Sequence, residues 1–393
     1  MQTNKAVNLI GIVGAGAMGS GIAQIASQAG QDVVLFDLSQ EALTSSSSKL
    51  QKVMNRLIEK GKVTSDEAIA IQERIVRTTM VTSLKDCDLI IEAVVEDLEV
   101  KKRVFKSIEE IASKEAIIAS NTSSLSITSL ASFCAHPDRV VGLHFFNPAP
   151  LMPLVEIIPA LQTNRDLPKH LTELMRKWGK SPVIAKDTPG FIVNRVARPF
   201  YGEALRILDE GIADVPTIDA AMRQSGFRMG PFQLMDLIGH DVNYSVTESV
   251  FKSFYYDPRY MPSITQLKLV EAGWLGRKSG RGFYNYNDEN EATVVPGQLD
   301  LNVQVEISER IISMLINEAA DAVYLGVASA EDVDTAMLKG VNYPKGLLVW
   351  AEEMGLQKVV RIIDALRDTY GETRYRCSPL LRKLAAEGGK FHK

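Results

Sequence analysis

In the stretch GLHFFNPAPLMPLVEII, His144 and Glu156 each stand alone as a titratable side chain in an otherwise apolar run. Histidine is scarce, with five in 393 residues, and a buried carboxylate is costly unless something pairs with it. Both runs read as buried β-strands, and the proline-rich turn Asn147–Pro153 between them could bring the chain back on itself. Imidazole and carboxylate would then meet. The carboxylate would fix the ring's tautomer and make the other nitrogen a better base, an arrangement suited to moving a proton. The competing reading is a core histidine satisfied by backbone groups, and the second isolated charge at Glu156 counts against it.

A second constellation lies near the start. GAGAMG places Gly14, Gly16 and Gly19 as GxGxxG, with Ala17 and Met18 between the last two glycines at the opening of a helix. The motif follows the apolar run VNLIGIV and precedes VVLFD, which ends in Asp37. In that context Gly14 permits a tight turn, Gly16 lets backbone approach a pyrophosphate, and Gly19 lets helix and strand pack closely. Free amide groups at the helix start would face the anion. Asp37 stands where a carboxylate accepts a bond from a ribose 2′-hydroxyl. The next residues, Leu38, Ser39, Gln40 and Glu41, offer no cation for a 2′-phosphate, which favours NAD over NADP. The alternative is a plain strand–helix turn in some other α/β protein.

These residues need a sheet to hold them. Strands are expected at VNLIGIV, QDVVLFD, DLIIEAVVE, AIIASNTSS, RVVGLHFF and LVEIIPA, with helices between them and lysine- and glutamate-rich helices from Ser39 to about Gln72. Strand–helix alternation over about 160 residues indicates a doubly wound, Rossmann-type α/β domain, placed at 1–186. A boundary is expected in SPVIAKDTPGF, with Thr188 as a helix N-cap and Pro189 in the first turn. Beyond it nearly everything reads as helix. EALRILDEGIADVPTIDAAM (203–222) matches EAADAVYLGVASAEDVDTAM (318–337) without a gap, pairing Glu203 with Glu318, Gly211 with Gly326, Asp219 with Asp334 and Met222 with Met337. The second half is therefore expected to hold two tandem all-helical domains, 187–286 and 303–393, joined by a polar linker at 287–302. The second copy stops at GGKFHK where the first continues GRKSGRGFYNY, so it reads as truncated and structural.

Composition sets the class. Hydrophobic residues make up 46% and charged residues 23%, as in a globular protein with real cores. A net charge of −4 with no basic block gives no support to a nucleic-acid or membrane-surface partner. No run of about 18 apolar residues occurs and the N-terminus lacks the form of a signal peptide, so a soluble cytoplasmic protein is expected. The three cysteines, Cys87, Cys134 and Cys377, lie far apart, which argues against a disulfide framework and a structural zinc site.

The motifs GAGAMGSGIAQ, IEAVVEDLEVKK, SNTSSLSIT, GLHFFNPAPLMPLVEI, TPGFIVNRV and GPFQLMDLIGHDV together resemble the 3-hydroxyacyl-CoA dehydrogenases, over residues 7 to about 286, and the repeat carries the likeness to the end. The resemblance implies an acyl-CoA thioester as substrate, NAD as cofactor, His144 as general base and Glu156 as its partner. It gives Ser123 and Asn194 contacts to substrate oxygens. It places Glu96, Lys101, Asn121, Ser123 and Asn147 near the ribose and nicotinamide, and Lys60 near the CoA portion. The plain readings are that Asn121 and Ser123 cap a helix and that Lys60 is solvated surface. GLHFFNPAP and TPGFIVNRVARPFY look most like members acting on 3-hydroxyadipyl-CoA in phenylacetate degradation. The alternatives are a reductive 3-hydroxybutyryl-CoA enzyme, or a catalytically idle, crystallin-like relative. In relatives with one helical domain that domain forms the dimer contact, so the two copies here are expected to pack as an internal pseudo-dimer; association of whole chains is left open.

Overall fold

The apolar run Leu9–Val13 forms strand β1, buried along nearly its whole length in the computed structural model, which describes residues 7–287 and 301–392. The chain divides into two compact units, Met1–Thr188 and Pro189–Lys393. In the first, α1 (Ala17–Gln28) follows β1, then β2 (Asp32–Phe36), α2 (Gln40–Glu59), α3 (Ser65–Glu73) and β3 (Ile75–Thr78). The series continues with β4 (Leu89–Glu92), α4 (Leu98–Ile111), β5 (Ile117–Ser120), α5 (Ile127–Ala131), β6 (Val140–Phe145), β7 (Leu154–Pro159), α6 (Leu167–Lys177) and β8 (Ser181–Ile184).

The eight strands form one sheet in the order β3-β2-β1-β4-β5-β6-β7-β8. Every neighbouring pair is parallel except β6 and β7, which run antiparallel. Strand order reverses direction between β1 and β4, the switch point where open α/β sheets bind ligands beyond the carboxyl ends of the strands. Strands buried on both faces explain the continuous apolar runs of β1, β4 and β5. Ile10, Ile12, Val33, Leu35, Ile91 and Ala119 pack with Ile22 and Ala26 of α1 in the main core. Two strands escape the sequence reading. In β3 only Ile75 is buried, and β8 lies inside the stretch taken as a boundary.

The second unit is helical: α7 (Val193–Val196), α8 (Arg198–Asp209), α9 (Val215–Gln224), α10 (Pro231–Ile238), α11 (His240–Ser253) and α12 (Ile264–Glu271), then α13 (Leu301–Tyr324), α14 (Ala330–Gly340), α15 (Leu347–Met354), α16 (Leu356–Tyr370) and α17 (Pro379–Glu387). The first helix begins at Val193, not at Thr188 as expected, because Gly190 (φ 73°) and Phe191 (φ 47°) are left-handed and keep the chain in a turn. Most of the expected linker, 288–300, lies outside the described residues.

The stretches 193–286 and 301–392 have like interiors. Asp219 accepts the backbone N–H groups of Phe232 (2.8 Å) and Gln233 (3.0 Å), and Asp334 those of Leu348 (2.8 Å) and Val349 (3.1 Å). Each carboxylate thereby supplies the acceptors at the start of the following helix, α10 or α15. Asp236 of α10 accepts the N–H groups of Phe283 and Tyr284, both at 3.0 Å. Glu352 of α15 accepts those of Phe391 (2.8 Å) and His392 (3.1 Å). The second copy, truncated as expected, is thus closed in shortened form, with Phe391 and His392 in place of the first copy's longer closing segment. The two stretches also exchange buried ion pairs. Arg195 Nε donates to Glu318 Oε1 at 2.6 Å and Arg310 Nε to Glu203 Oε2 at 3.0 Å, while the hydroxyls of Tyr260 and Tyr375 donate to Glu318 (2.5 Å) and Glu203 (3.1 Å).

Candidate functional site

His144 in β6 stands directly opposite Glu156 in β7 in the antiparallel register, so the two side chains emerge on the same face. Glu156 is fully buried and His144 nearly so. His144 Nδ1 lies 2.6 Å from Glu156 Oε2. With Nδ1–H donated to the carboxylate, the neutral ring carries its lone pair on Nε2, the nitrogen that can take a proton. Phe146 packs beside the imidazole, ring centroids 4.3 Å apart.

The turn joining these strands is fastened from behind. Lys180 Nζ donates to the carbonyls of Ala149 (2.6 Å) and Met152 (2.8 Å), and burial pulls its pKa down to about 8. On the other side α1 packs so closely that a Cβ at Gly21 would sit 3.1 Å from both Ala149 Cβ and Pro150 Cδ. Asn147 is exposed in this turn.

The glycine loop has the form a dinucleotide requires. Gly14 has φ 106°, and a Cβ at Gly19 would lie 1.8 Å from the Gly14 carbonyl oxygen. A Cβ at Gly16 would meet nothing within 4 Å, so the backbone there is open to a close-lying ligand. Helix α1 has no side-chain N-cap, which leaves its first-turn amides, Ala17 and Met18 among them, suited to a phosphate. Asp37 Oδ2 accepts the Ala15 N–H (2.7 Å) and Oδ1 the Ser39 N–H (2.8 Å). The carboxylate thus holds the glycine loop in shape and keeps acceptor capacity for ribose hydroxyls. These residues fit NAD.

A third group lies at the carboxyl ends of β4 and β5. Glu92, fully buried, accepts bonds from Lys101 Nζ (2.6 Å), Ser120 Oγ (2.6 Å) and the Val94 N–H (2.7 Å). Glu96 accepts the Thr122 hydroxyl (2.6 Å), the N–H groups of Ser123 (2.9 Å) and Ser124 (3.2 Å) and the Ser124 hydroxyl (3.0 Å), with Lys101 Nζ 3.3 Å from its other oxygen. Burial pushes the Glu96 carboxyl up, but the Lys101 ammonium and these hydrogen bonds outweigh it and hold the pKa below the usual value. The Ser123 hydroxyl also lies 3.3 Å from Glu96 Oε1. Asn121 Oδ1 accepts the Phe145 N–H at 2.9 Å, tying the end of β5 to the end of β6 beside His144. Neither Asn121 nor Ser123 caps a helix; Ser126 caps α5.

Gly14, Gly16, Ala17, Met18, Gly19 and Asp37 thus form one group, Glu96, Lys101, Asn121 and Ser123 a second, and His144 with Glu156 a third. Lys60 is exposed at the C-terminal end of α2, with no ion pair among the described residues. Asn194 belongs to the second unit, in α7. The sequence reading missed Glu92 and Lys180. Glu92 carried the same signal as Glu156, a lone charge in an apolar strand. Lys180 carried none, since its partners lie 28 and 31 residues away. Among the described residues, no helix is long and apolar enough to cross a membrane, and no group of three or more His, Cys, Asp or Glu could hold a metal.

Comparison with known proteins gives a consistent result. The sequence model for the NAD-binding domain of 3-hydroxyacyl-CoA dehydrogenases matches residues 9–188, and that for the C-terminal domain matches residues 190–286 and 307–393. The chain is 38% identical to a 3-hydroxyadipyl-CoA dehydrogenase of Escherichia coli, over 96% of this chain and 98% of the relative. It is 43% identical to a probable 3-hydroxybutyryl-CoA dehydrogenase of Deinococcus radiodurans, over 70% of this chain and 99% of the relative. A crystal structure of 3-hydroxybutyryl-CoA dehydrogenase from E. coli superposes with a TM-score of 0.92 at 37% identity, covering 98% of this chain and 99% of the other. With a Rossmann-type sheet, a glycine loop fitted to NAD and a paired histidine beyond it, the chain belongs to the 3-hydroxyacyl-CoA dehydrogenase family and is an NAD-dependent oxidoreductase.

Proposed function

We propose that the protein interconverts an L-3-hydroxyacyl-CoA and its 3-oxoacyl-CoA, and that the acyl chain ends in a carboxylate, as in 3-hydroxyadipyl-CoA. The hydrogen-bonded His144–Glu156 pair carries the reading of the chemistry. His144 Nε2 takes the C3 hydroxyl proton during oxidation and returns it during reduction, while Glu156 holds the ring and stabilises the imidazolium that forms. NAD, when bound, supplies the hydride acceptor. Gly14, Gly16, Ala17, Met18 and Gly19 would hold its pyrophosphate, Asp37 its adenosine ribose, and Glu96, Lys101, Asn121 and Asn147 the nicotinamide end. Ser123 and Asn194 are assigned to substrate oxygens, and Lys60 to the CoA portion.

The carboxylate-terminated substrate is favoured because the relative with that activity matches along 96% of the chain. A second reading, reduction of acetoacetyl-CoA to 3-hydroxybutyryl-CoA, is favoured by the name of the E. coli structure. An idle structural relative is disfavoured by the intact geometry of the His144 pair. Following NADH absorbance with 3-oxoadipyl-CoA and acetoacetyl-CoA separates the three: the first reading expects higher kcat/KM with 3-oxoadipyl-CoA, the second the reverse, the third no turnover. The same assay should favour NADH over NADPH by on the order of a hundredfold, since a 2′-phosphate beside Asp37 sets like charges together. Equal efficiency with both cofactors would overturn the role given to Asp37.

We also read the second unit as two copies of one helical domain, 187–286 and 303–393, packed as an internal dimer. The exchanged pairs Arg195–Glu318 and Arg310–Glu203 support this. Each of these two residues of the first copy lies 115 positions before its counterpart (195 to 310, 203 to 318), so residue i meets j′ while j meets i′, as in an isologous interface. Widely spaced, unpaired cysteines suit a reducing cytoplasm.

A further inference from the structure

In the interior of the helical unit one arginine has no carboxylate partner among the described residues. Arg195, Arg198 and Arg259 are all at least nine-tenths buried. Two carboxylates serve the first and third: Glu318 takes Arg195 Nε (2.6 Å) and Arg259 Nη1 (2.9 Å), and Asp321 takes Arg259 Nη1 (2.7 Å). Arg198, 8% exposed, makes no salt bridge among the described residues. Its Nη1 donates to the Thr247 hydroxyl at 3.0 Å, its guanidinium carbon lies 5.0 Å from the centre of the Tyr201 ring, and its Nε is buried with no acceptor among the described residues. The Tyr343 hydroxyl, also buried, lacks a partner among the described residues as well. Hydroxyls and an aromatic ring do not neutralise a guanidinium, and an uncompensated buried charge is a heavy cost to stability. Burial accordingly pulls the Arg198 pKa below the ordinary guanidinium value, with the two tyrosines only partly opposing it. Such a group suits an anion that arrives with a ligand.

Two further observations say which anion. Arg198 follows Asn194 by four residues, and the chain keeps right-handed helical geometry through Ala197 (φ −78°, ψ −11°) between α7 and α8. The two side chains therefore project from one side of the helix about one turn, roughly 6 Å, apart. The cavity at Arg198, whose lining includes Tyr201, Thr247, Tyr260, Gln266 and the carboxylate-paired Arg259, has a volume of about 20 Å³. A water needs roughly 10–15 Å³ of such space, so the cavity has room for about one water-sized group, such as one oxygen of a carboxylate. In a 3-oxoadipyl thioester the terminal carboxylate stands three carbons beyond the reacting C3.

We propose that Arg198 is the specificity-determining residue of this enzyme, the counter-charge that receives the terminal carboxylate of a dicarboxylic acyl-CoA whose reacting end is held by Asn194. The inference rests on the dehydrogenase reading above. A charged hydrogen bond of this kind is made by 3-oxoadipyl-CoA and cannot be made by 3-oxohexanoyl-CoA, which has the same chain length and ends in a methyl group.

The test is kcat/KM of the full-length enzyme for 3-oxoadipyl-CoA, 3-oxohexanoyl-CoA and acetoacetyl-CoA, in wild type, Arg198→Met and Arg198→Lys. Wild type should prefer 3-oxoadipyl-CoA over 3-oxohexanoyl-CoA. In Arg198→Met that ratio should fall about a hundredfold, and in Arg198→Lys by less, since the charge stays while the forked geometry goes. A ratio unchanged in both variants overturns the proposal, as does a wild type active on acetoacetyl-CoA but indifferent to the terminal carboxylate. If Arg198→Met does not fold, the comparison between wild type and Arg198→Lys decides on the same criterion. A wild type inert with all three thioesters refutes the dehydrogenase reading itself, a different failure from loss of the ratio.

Discussion

His144 owes its chemistry to one oxygen atom. The Glu156 carboxylate, fully buried 2.6 Å from Nδ1, orients the imidazole and, in the proposed reaction, would meet the charge gained when Nε2 takes a proton. Glu156→Gln keeps the shape and removes the charge, and the amide can present its NH2 to Nδ1 and so favour the wrong tautomer. General acid–base assistance contributes about 10²–10⁴ in rate, so kcat should fall by roughly a hundredfold or more. The dissociation constant for NADH should change far less, because neither residue belongs to the glycine loop. Steady-state kinetics beside a fluorescence titration with NADH checks both. Retained kcat, or equal losses in turnover and cofactor affinity, would show that the pair does not act as a proton-transfer unit. This pair was legible in the sequence because each member breaks an apolar strand pattern. Glu92 broke the pattern in the same way, and there the buried carboxylate organises Lys101 and Ser120 instead of a base. The pattern shows that a buried charge has a partner; it does not say what the partner is for.

At the scale of the element, the turn from Asn147 to Pro153 is as consequential as the strands. It is held by Lys180 through two carbonyls and by α1 through the close approach at Gly21. The folded-state pKa of Lys180, about 8, lies below the ordinary 10.5. Below pH 8 the folded and unfolded chains both carry this proton, and the burial penalty is constant. Between about 8 and 10.5 the unfolded chain binds more protons than the folded one, so the contribution of this group to stability rises with pH across that window. Lys180→Met has no such proton. Wild type should therefore gain melting temperature relative to the variant as pH is raised from 7.5 to 10, and a difference constant over that range would contradict the assignment. None of this is visible locally in the sequence, because the clamp is made across about thirty residues. The same cause hid β3 and β8. Four residues such as IVRT or SPVI are too short to show a period, and they become strands only because β2 and β7 offer them an edge. The strands that were legible, β1, β2, β4, β5, β6 and β7, are those whose burial is written as a continuous apolar run.

In the whole molecule, the repeat raises the question of what each helical copy does without the other. Helix α8 of the first copy packs along α13 of the second, and residues 303–393 supply the partners of three buried groups in the first copy. Glu318 answers Arg195 and Arg259, and Arg310 answers Glu203. Removing residues 303–393 leaves Arg195 and Arg259 without a carboxylate among the described residues and Glu203 with Arg206 alone, at roughly 3–5 kcal/mol for each broken buried pair. It also uncovers the face of α8 that packs on α13, a patch liable to associate. A second truncated chain offers a remedy the repeat itself dictates. Glu203 is the counterpart of Glu318, so across a two-fold axis Arg195 of one chain can meet Glu203 of the other in place of Glu318. The truncated protein should therefore be a two-chain dimer or an aggregate, with a concentration-dependent mass in sedimentation, and should not remain a monomer. If it forms the dimer, Glu203→Gln in the truncated chain should weaken it by at least tenfold in dissociation constant, an order-of-magnitude expectation for losing a charged partner. In the full-length chain the same substitution should lower stability without changing mass. A truncated protein that stays monomeric and melts where the full-length one does would sink the idea that the second copy stands in for a partner subunit.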